Sequence, residues 1–222
     1  MNKLYSKKGL DIYIKEKHGS ALIVSFSGVG PYLGSTQKPE FSNTLNLANN
    51  VYTEMYVIDR DRSFYTGGKS IEIKKIIESF CSQNDINKCY LTGHSMGAYG
   101  AIITALQLEV TSFVLAFSPF YSFSSKVIPE DTRCAEYKRA INRFDIPEIS
   151  SFTNPLIKKC TIYYGDTNPM DFYHEEKYKE VINSNQKYWE IIKLNGCGHN
   201  TPKCLKNDSN KLVKVFQSFL SY

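Results

Sequence analysis

The stretch Lys88-Cys89-Tyr90-Leu91-Thr92-Gly93-His94-Ser95-Met96-Gly97-Ala98-Tyr99-Gly100 decides how this chain folds. Its first half is a short apolar run, which predicts a buried strand, and its second half predicts a helix starting near Met96. Between them, Gly93, Ser95 and Gly97 make the pattern G-x-S-x-G. A serine at the tip of so sharp a turn takes a strained backbone, which lifts its hydroxyl clear of the sheet. The flanking glycines are needed because strand and helix pass too close for a Cβ. The amide of Met96 then sits at the positive end of a helix, aimed at whatever Ser95 attacks. Ser95 is therefore a candidate nucleophile. The alternative is a small-residue turn with an idle serine.

On either side of this stretch, strands and helices alternate. Ala21 to Phe26 is a continuous apolar run, as expected of a strand buried on both faces, and it ends in Ser27-Gly28-Val29-Gly30-Pro31. Residues 31 to 50 show no clear element. Val51 to Ile58 reads as a strand running into the loop Asp59 to Gly68, and Ser70 to Gln83 has helical spacing. Thr111 to Phe117, Leu156 to Tyr164 and Lys187 to Leu194 are further strands, Glu175 to Asn183 is helical, and Leu212 to Leu220 is a closing amphipathic helix. Leu10 to Lys17 alternates apolar and polar residues, which predicts an antiparallel edge strand. Residues 122–153 interrupt the alternation with a charged segment and a helix over Thr132 to Arg143. Such a chain predicts an α/β fold with a mostly parallel central sheet covered by helices on both faces, in a single domain over 1–222. Ligands of such sheets bind in the loops at the carboxyl ends of the strands.

Composition narrows the function classes. A chain of 222 residues with 42% hydrophobic and 22% charged residues is an ordinary globular domain able to bury a substantial core. The net charge of +5 would favour an anionic substrate, and it is spread without the basic stripe that nucleic-acid binders carry. The six cysteines, at 81, 89, 134, 160, 197 and 204, include no C-x-x-C pair, so no metal site is expected. Met1 to Lys17 carries charges throughout, which reads as neither signal peptide nor membrane span. A cytoplasmic, fully reduced protein is the resulting expectation.

The run Gly93-His94-Ser95-Met96-Gly97-Ala98-Tyr99-Gly100-Ala101 resembles the nucleophile elbow of the α/β-hydrolase family, in particular serine esterases of the esterase D and feruloyl-esterase kind. Ser118-Pro119 after the next strand resembles the same kind. The resemblance implies an α/β-hydrolase fold, with 122–153 as a small cap over the site. It also implies that the amide of Val29 joins that of Met96 in an oxyanion hole. Ser95, the Asp loop and the His loop occur in the α/β-hydrolase order Ser, Asp, His.

Of four histidines, His199 sits just past the last strand in a Gly-Cys-Gly-His loop and is the candidate base; His94 is expected to pack beneath the turn, and His18 lies on a hairpin. The acid has two candidates. The position where many hydrolases place an Asp is Asn168 here, flanked by Asp166 and Asp171. Asp171 is preferred, because the Pro169-x-Asp171-x-x-His174 run resembles a variant of the family, with Asp166 as the alternate. Arg60 and Arg62 are candidates for clamping a substrate anion, or else for fixing their loop through Asp–Arg pairs.

The resulting expectation is a bacterial carboxylesterase that needs no cofactor and acts on a small-molecule or glycan ester. One alternative is a glycan O-acetyltransferase that uses the same three residues with acetyl-CoA. A second is a non-catalytic binding protein on the same fold, which Asn168 favours. Acyl length, alcohol part and oligomeric state are not encoded in any motif found.

Overall fold

The computed structural model describes residues 1–29, 39–49, 51–124, 126–139, 141, 143–146, 149–151, 153–185, 188–208 and 210–222, the side chains of 184 and 185 excepted. At its centre, strand β5 (Lys88–His94) runs directly into a helix at Met96–Ala105. β3 (Ala21–Phe26) and β6 (Thr111–Phe117) flank β5, both parallel to it. β4 (Thr53–Asp59) continues the parallel block beside β3; β7 (Ile157–Gly165) and β8 (Trp189–Leu194) continue it beyond β6. β2 (Leu10–Lys15) pairs antiparallel with β4, and β1 (Asn2–Lys7) antiparallel with β2. The order is β1-β2-β4-β3-β5-β6-β7-β8. From β3 the chain moves to β4 on one side and then returns to β5 on the other. That reversal opens a crevice at the carboxyl ends of β3 and β5.

β1 corrects the expectation that the strand read over Leu10 to Lys17, observed as β2, is the edge. Five of the six β1 residues face water and the sixth is half-buried, so no apolar alternation marks it as a strand. Helix α1 (Ser42–Ala48) occupies part of 31–50, where none is expected; Leu45 is its one buried residue. α2 (Lys69–Gln83) and α3 (Met96–Ala105) follow the predicted spans. α4 (Ala135–Arg139) is much shorter than the predicted Thr132 to Arg143 and buries none of its residues. Ahead of it Asp131 Oδ1 accepts the amide of Arg133 at 2.8 Å, a local turn that competes with helix. α5 (Pro169–Asn185), α6 (Thr201–Asn207) and α7 (Lys211–Phe219) complete the chain; α6 is not among the predicted elements, although Asn200 caps it and Pro202 stands in its first turn. Gly30, Pro31, most of the 31–50 reading, Lys187 and two residues of the predicted 132–143 helix lie outside the described residues.

The sheet separates two cores. On one face Leu22, Val24, Phe26 and Leu91 pack with Met96 and Ile102 of α3 and Ile73 and Ile77 of α2. On the other, Ile23, Tyr90, Leu115 and Phe117 pack with Leu45 of α1 and Phe216 and Phe219 of α7. Successive residues of β3 therefore serve opposite faces, which is why all of its residues but Ser25 are apolar.

The turn at Ser95 needs its glycines for space. A Cβ on Gly97 would lie 2.2 Å from the Phe26 carbonyl oxygen, and one on Gly93 would lie 2.2 Å from the Gly97 carbonyl carbon. Cys197 and Cys204 form a disulfide, with Cα atoms 5.9 Å apart, so the expectation of a fully reduced chain does not hold for this pair. Gly196, at φ 71°, turns the chain so that the loop after β8 doubles back against α6. Among the described residues no helix is long and apolar enough to cross a membrane.

Candidate active site

Ser95 sits between β5 and α3 with φ 56° and ψ −119°, a conformation costly for a residue with a Cβ. Its amide donates to the Phe117 carbonyl at 2.8 Å, and its carbonyl accepts the amide of Tyr99 at 3.1 Å as α3 begins. Both backbone groups are thus tied down while the side chain projects from the carboxyl edge of the sheet.

His199, in the loop between β8 and α6, places Nε2 2.9 Å from Ser95 Oγ. Two donors fix that loop at the His199 carbonyl: the Thr201 amide at 2.9 Å and the His94 ring Nε2 at 3.0 Å. His94 therefore does more than pack beneath the turn. Because its Nε2 faces an oxygen that can only accept, the His94 ring proton lies on Nε2.

Asp171 meets the other side of the His199 ring, with Oδ1 and Oδ2 2.9 and 3.0 Å from Nδ1. It is the third residue of α5. Asn168 stands just before that helix and its side chain accepts the amide of Met170 at 3.0 Å, so the position that departs from the family pattern serves as a helix cap. Asp166 is elsewhere: its Oδ1 accepts the amide of Gly196 at 2.7 Å, holding the turn beneath the His199 loop. Of the two candidate acids, only Asp171 touches the imidazole.

Asp171 is almost wholly enclosed. Burial alone would raise its carboxyl, but the hydrogen bond from His199 and the charges of His199 and Arg133 outweigh burial and hold it below the usual carboxylate range. The carboxylate is ionised at neutral pH and directs the imidazole proton to Nδ1, leaving Nε2 free to accept from Ser95.

Several neighbours carry no readable sequence signal. Arg133, from the 122–153 segment, donates from Nη1 to Asp171 Oδ1 at 2.8 Å. Its Nε and Nη2 grip Asp131 Oδ1 and Oδ2 at 3.0 and 2.9 Å, and its guanidinium lies 4.8 Å over the Phe120 ring. Asp131 Oδ2 is in turn 2.7 Å from His174 Nε2, and His174 Nδ1 accepts the Tyr121 amide at 2.9 Å. His174 thus carries its proton on Nε2 and donates it to Asp131. Burial opposes ionisation of Asp131, but the bonds from His174 and Arg133 prevail and hold its carboxyl far below the usual range. The charges of 122–153 are visible in the sequence, yet no spacing says which of them turns inward.

Glu40 is the other unanticipated neighbour. Its Oε2 accepts the amide of Gly28 at 2.5 Å, which braces the loop carrying Val29. Its Oε1 lies 3.7 Å from His94 Nδ1. Burial pushes the Glu40 carboxyl up to about 7, against a lowering by the Gly28 bond. Burial, aided by repulsion from His199, pushes His94 down to about 4.

Folded Glu40 keeps its proton to higher pH than the unfolded chain, so its contribution favours folding at low pH and is lost as pH rises from 4.5 to about 7. His94 has the opposite sign: the folded ring resists protonation, and stability is lost as pH falls toward about 4. Glu40→Gln removes only the first effect. Relative to wild type, the variant should gain ~1–3 kcal/mol between pH 5 and pH 8. Thermal melts at the two pH values check this, and parallel wild-type and variant curves would count against the buried-acid reading.

Of the proposed anion clamps, Arg60 Nε pairs with Asp11 Oδ2 at 3.1 Å, on the β2 side of the sheet. The Arg62 guanidinium lies 5.3 Å over the Tyr137 ring. Both contacts tie the 59–68 loop to neighbouring structure. The cation found against Asp171 and His199 is Arg133. Among the described residues no group of three or more His, Cys, Asp or Glu side chains is placed to hold a metal ion.

The model of the Esterase family, described as "Putative esterase", matches residues 69–193. No curated protein sequence matches the chain. Among solved structures, the capsule O-acetyltransferase of Neisseria meningitidis serogroup A superposes with a TM-score of 0.66 at 18% identity, covering 98% of this chain and 92% of that one. A carboxylesterase of the thaumarchaeon Nitrososphaera gargenis gives 0.59 at 13% identity, covering 99% and 97%. XC6422 of Xanthomonas campestris, an α/β serine hydrolase without lid, gives 0.57 at 12%, covering 96% and 87%. At such identities these likenesses speak for the fold alone, and the fold they share with this chain is that of the α/β hydrolases.

Proposed function

The chain belongs to the Esterase family, and from that premise we propose that it is a serine carboxylesterase working through an acyl-enzyme. The observation that carries this reading is the unbroken contact from Ser95 Oγ through the His199 ring to Asp171, 2.9 Å on the serine side and 2.9–3.0 Å on the acid side. His199 Nε2 takes the hydroxyl proton as Ser95 attacks the ester carbonyl, and Asp171 stabilises the imidazolium that forms. The developing oxyanion is received by the amides of Met96, at the start of α3, and Val29, on the loop that Glu40 braces. Each such donor is worth ~3 kcal/mol of barrier in known cases. The imidazolium returns its proton to the departing alkoxide, and water then repeats the sequence to release the acid. The 122–153 segment, which supplies Arg133 beside the imidazole, acts as the cap.

A second reading is acyl transfer, from acetyl-CoA to a sugar hydroxyl. It is favoured by the likeness to the capsule O-acetyltransferase over 98% of this chain. The same three residues would serve, with a hydroxyl in place of water. A panel of p-nitrophenyl esters of increasing acyl length, with and without sugar acceptors and acetyl-CoA, separates the two. The esterase reading expects turnover in buffer alone that acceptors leave unchanged. Turnover that depends on the acceptor, with acetyl found on the sugar, would replace it by the transferase.

A further inference from the structure

We propose that Arg133 is a positioning residue for the Asp171–His199 pair, and that Asp131 and His174 exist to hold it there; this rests on the serine-hydrolase reading of the site. A carboxylate turns freely about its last bond, and its broad torsional preference does little to stop it. The side-chain partners described for Asp171 are His199 and Arg133, and both reach Oδ1, the imidazole at 2.9 Å and the guanidinium at 2.8 Å. The imidazole must move protons and change charge during turnover, so it is a poor anchor. The guanidinium keeps its charge throughout.

Every freedom of Arg133 is in turn removed. Nε and Nη2 form a fork on Asp131 at 3.0 and 2.9 Å, which leaves Nη1 at the Asp171–His199 junction, 2.8 Å from Asp171 Oδ1 and 3.2 Å from His199 Nδ1. Phe120 lies under the guanidinium plane at 4.8 Å. Asp131 is oriented by His174 at 2.7 Å, and His174 by the Tyr121 amide at 2.9 Å. Stability is a weak reason for such an arrangement. Burying two carboxylates around one guanidinium costs desolvation that the pairing barely repays, and apolar replacements of such clusters are often neutral or better. What the cluster does supply is a rigid chain running from the β6–cap junction at Tyr121 to the acid, through a residue of the 122–153 segment. Seating that segment and aligning the acid are then one event.

The test compares Arg133→Met with Arg133→Lys in the full-length protein. Measured are kcat and KM on a short-chain p-nitrophenyl ester, thermal melts, and the downfield imidazole proton of His199 in nitrogen-15 histidine spectra. In folded Arg133→Met, kcat should fall about 10–100-fold with KM within about threefold, the size expected for misplacing a catalytic group by a fraction of its reach. Arg133→Lys, which restores charge without the fork, should recover part of that loss. The Nδ1 proton, sharp in wild type, should shift or broaden in Arg133→Met. If Arg133→Met does not fold, Asp131→Asn, which keeps the shape and loses the charge gripping the guanidinium, should give the same pattern with a smaller loss. A folded Arg133→Met with wild-type kcat and an unmoved Nδ1 proton overturns the proposal, as does a loss confined to KM or to melting temperature. A wild type that neither turns over esters nor reacts with a fluorophosphonate instead overturns the hydrolase reading, and the proton comparison still reports whether Arg133 orients the pair.

Discussion

Ser95→Ala is expected to abolish labelling by a fluorophosphonate probe and to lower kcat on esters by ~10⁴–10⁶-fold, the range seen when a serine nucleophile is removed from such a site. KM should change little, because the lost hydroxyl acts in the transition state rather than in holding substrate. Fold stability should be nearly untouched. The described partner of the hydroxyl is His199 at 2.9 Å, and alanine keeps the same strained backbone, φ 56°. An unreactive wild type would turn the protein into a binding member of its fold, and equal labelling of variant and wild type would move the nucleophile away from Ser95.

The acid gives the second large effect. Asp171→Asn should cost ~10⁴-fold in kcat. The new side-chain amide can donate to Nδ1, which moves the imidazole proton to Nε2 and points it at the hydroxyl that the ring must deprotonate. Asp166→Asn should cost no more than about threefold, because asparagine still offers an oxygen to the Gly196 amide. Reversed magnitudes would move the acid to Asp166. Because the folded Asp171 carboxyl lies below its ordinary value, the stability it contributes is present at neutral pH and lost as pH falls through the folded value. Asp171→Asn should therefore show a flatter loss of melting temperature below about pH 4 than wild type, which thermal melts from neutral pH into strong acid would register.

How much of this can be read from the chain follows from where each signal originates. The elbow is legible because Gly93, Ser95 and Gly97 answer a local steric demand, and β3 and β5 because burial on both faces leaves mostly apolar runs. His199 is legible from its place after the last strand. β1 is not, since only Tyr5 of its six residues packs against the core and the rest face water. α4 is shorter than its helical spacing suggests because the side chains of Asp131 and Arg133 serve a distant cluster and break the local ladder. Arg133, Asp131, Glu40 and the inward role of His174 depend on which surface charges the tertiary fold turns inside, and no spacing along the chain encodes that. The choice between Asp166 and Asp171 is similarly open until α5 places one of them against the ring.

The division of the interior into two cores has a practical side. Ser95, His199 and Asp171 are all absent from the cluster formed by Leu212, Phe216 and Phe219 with Tyr90, Leu115 and Phe117. One member of that cluster still reaches the chemistry, since the Phe117 carbonyl holds the Ser95 amide at 2.8 Å, so a redesign for heat tolerance on this flank would start at Leu212, Phe216 and Phe219 and leave Phe117 in place.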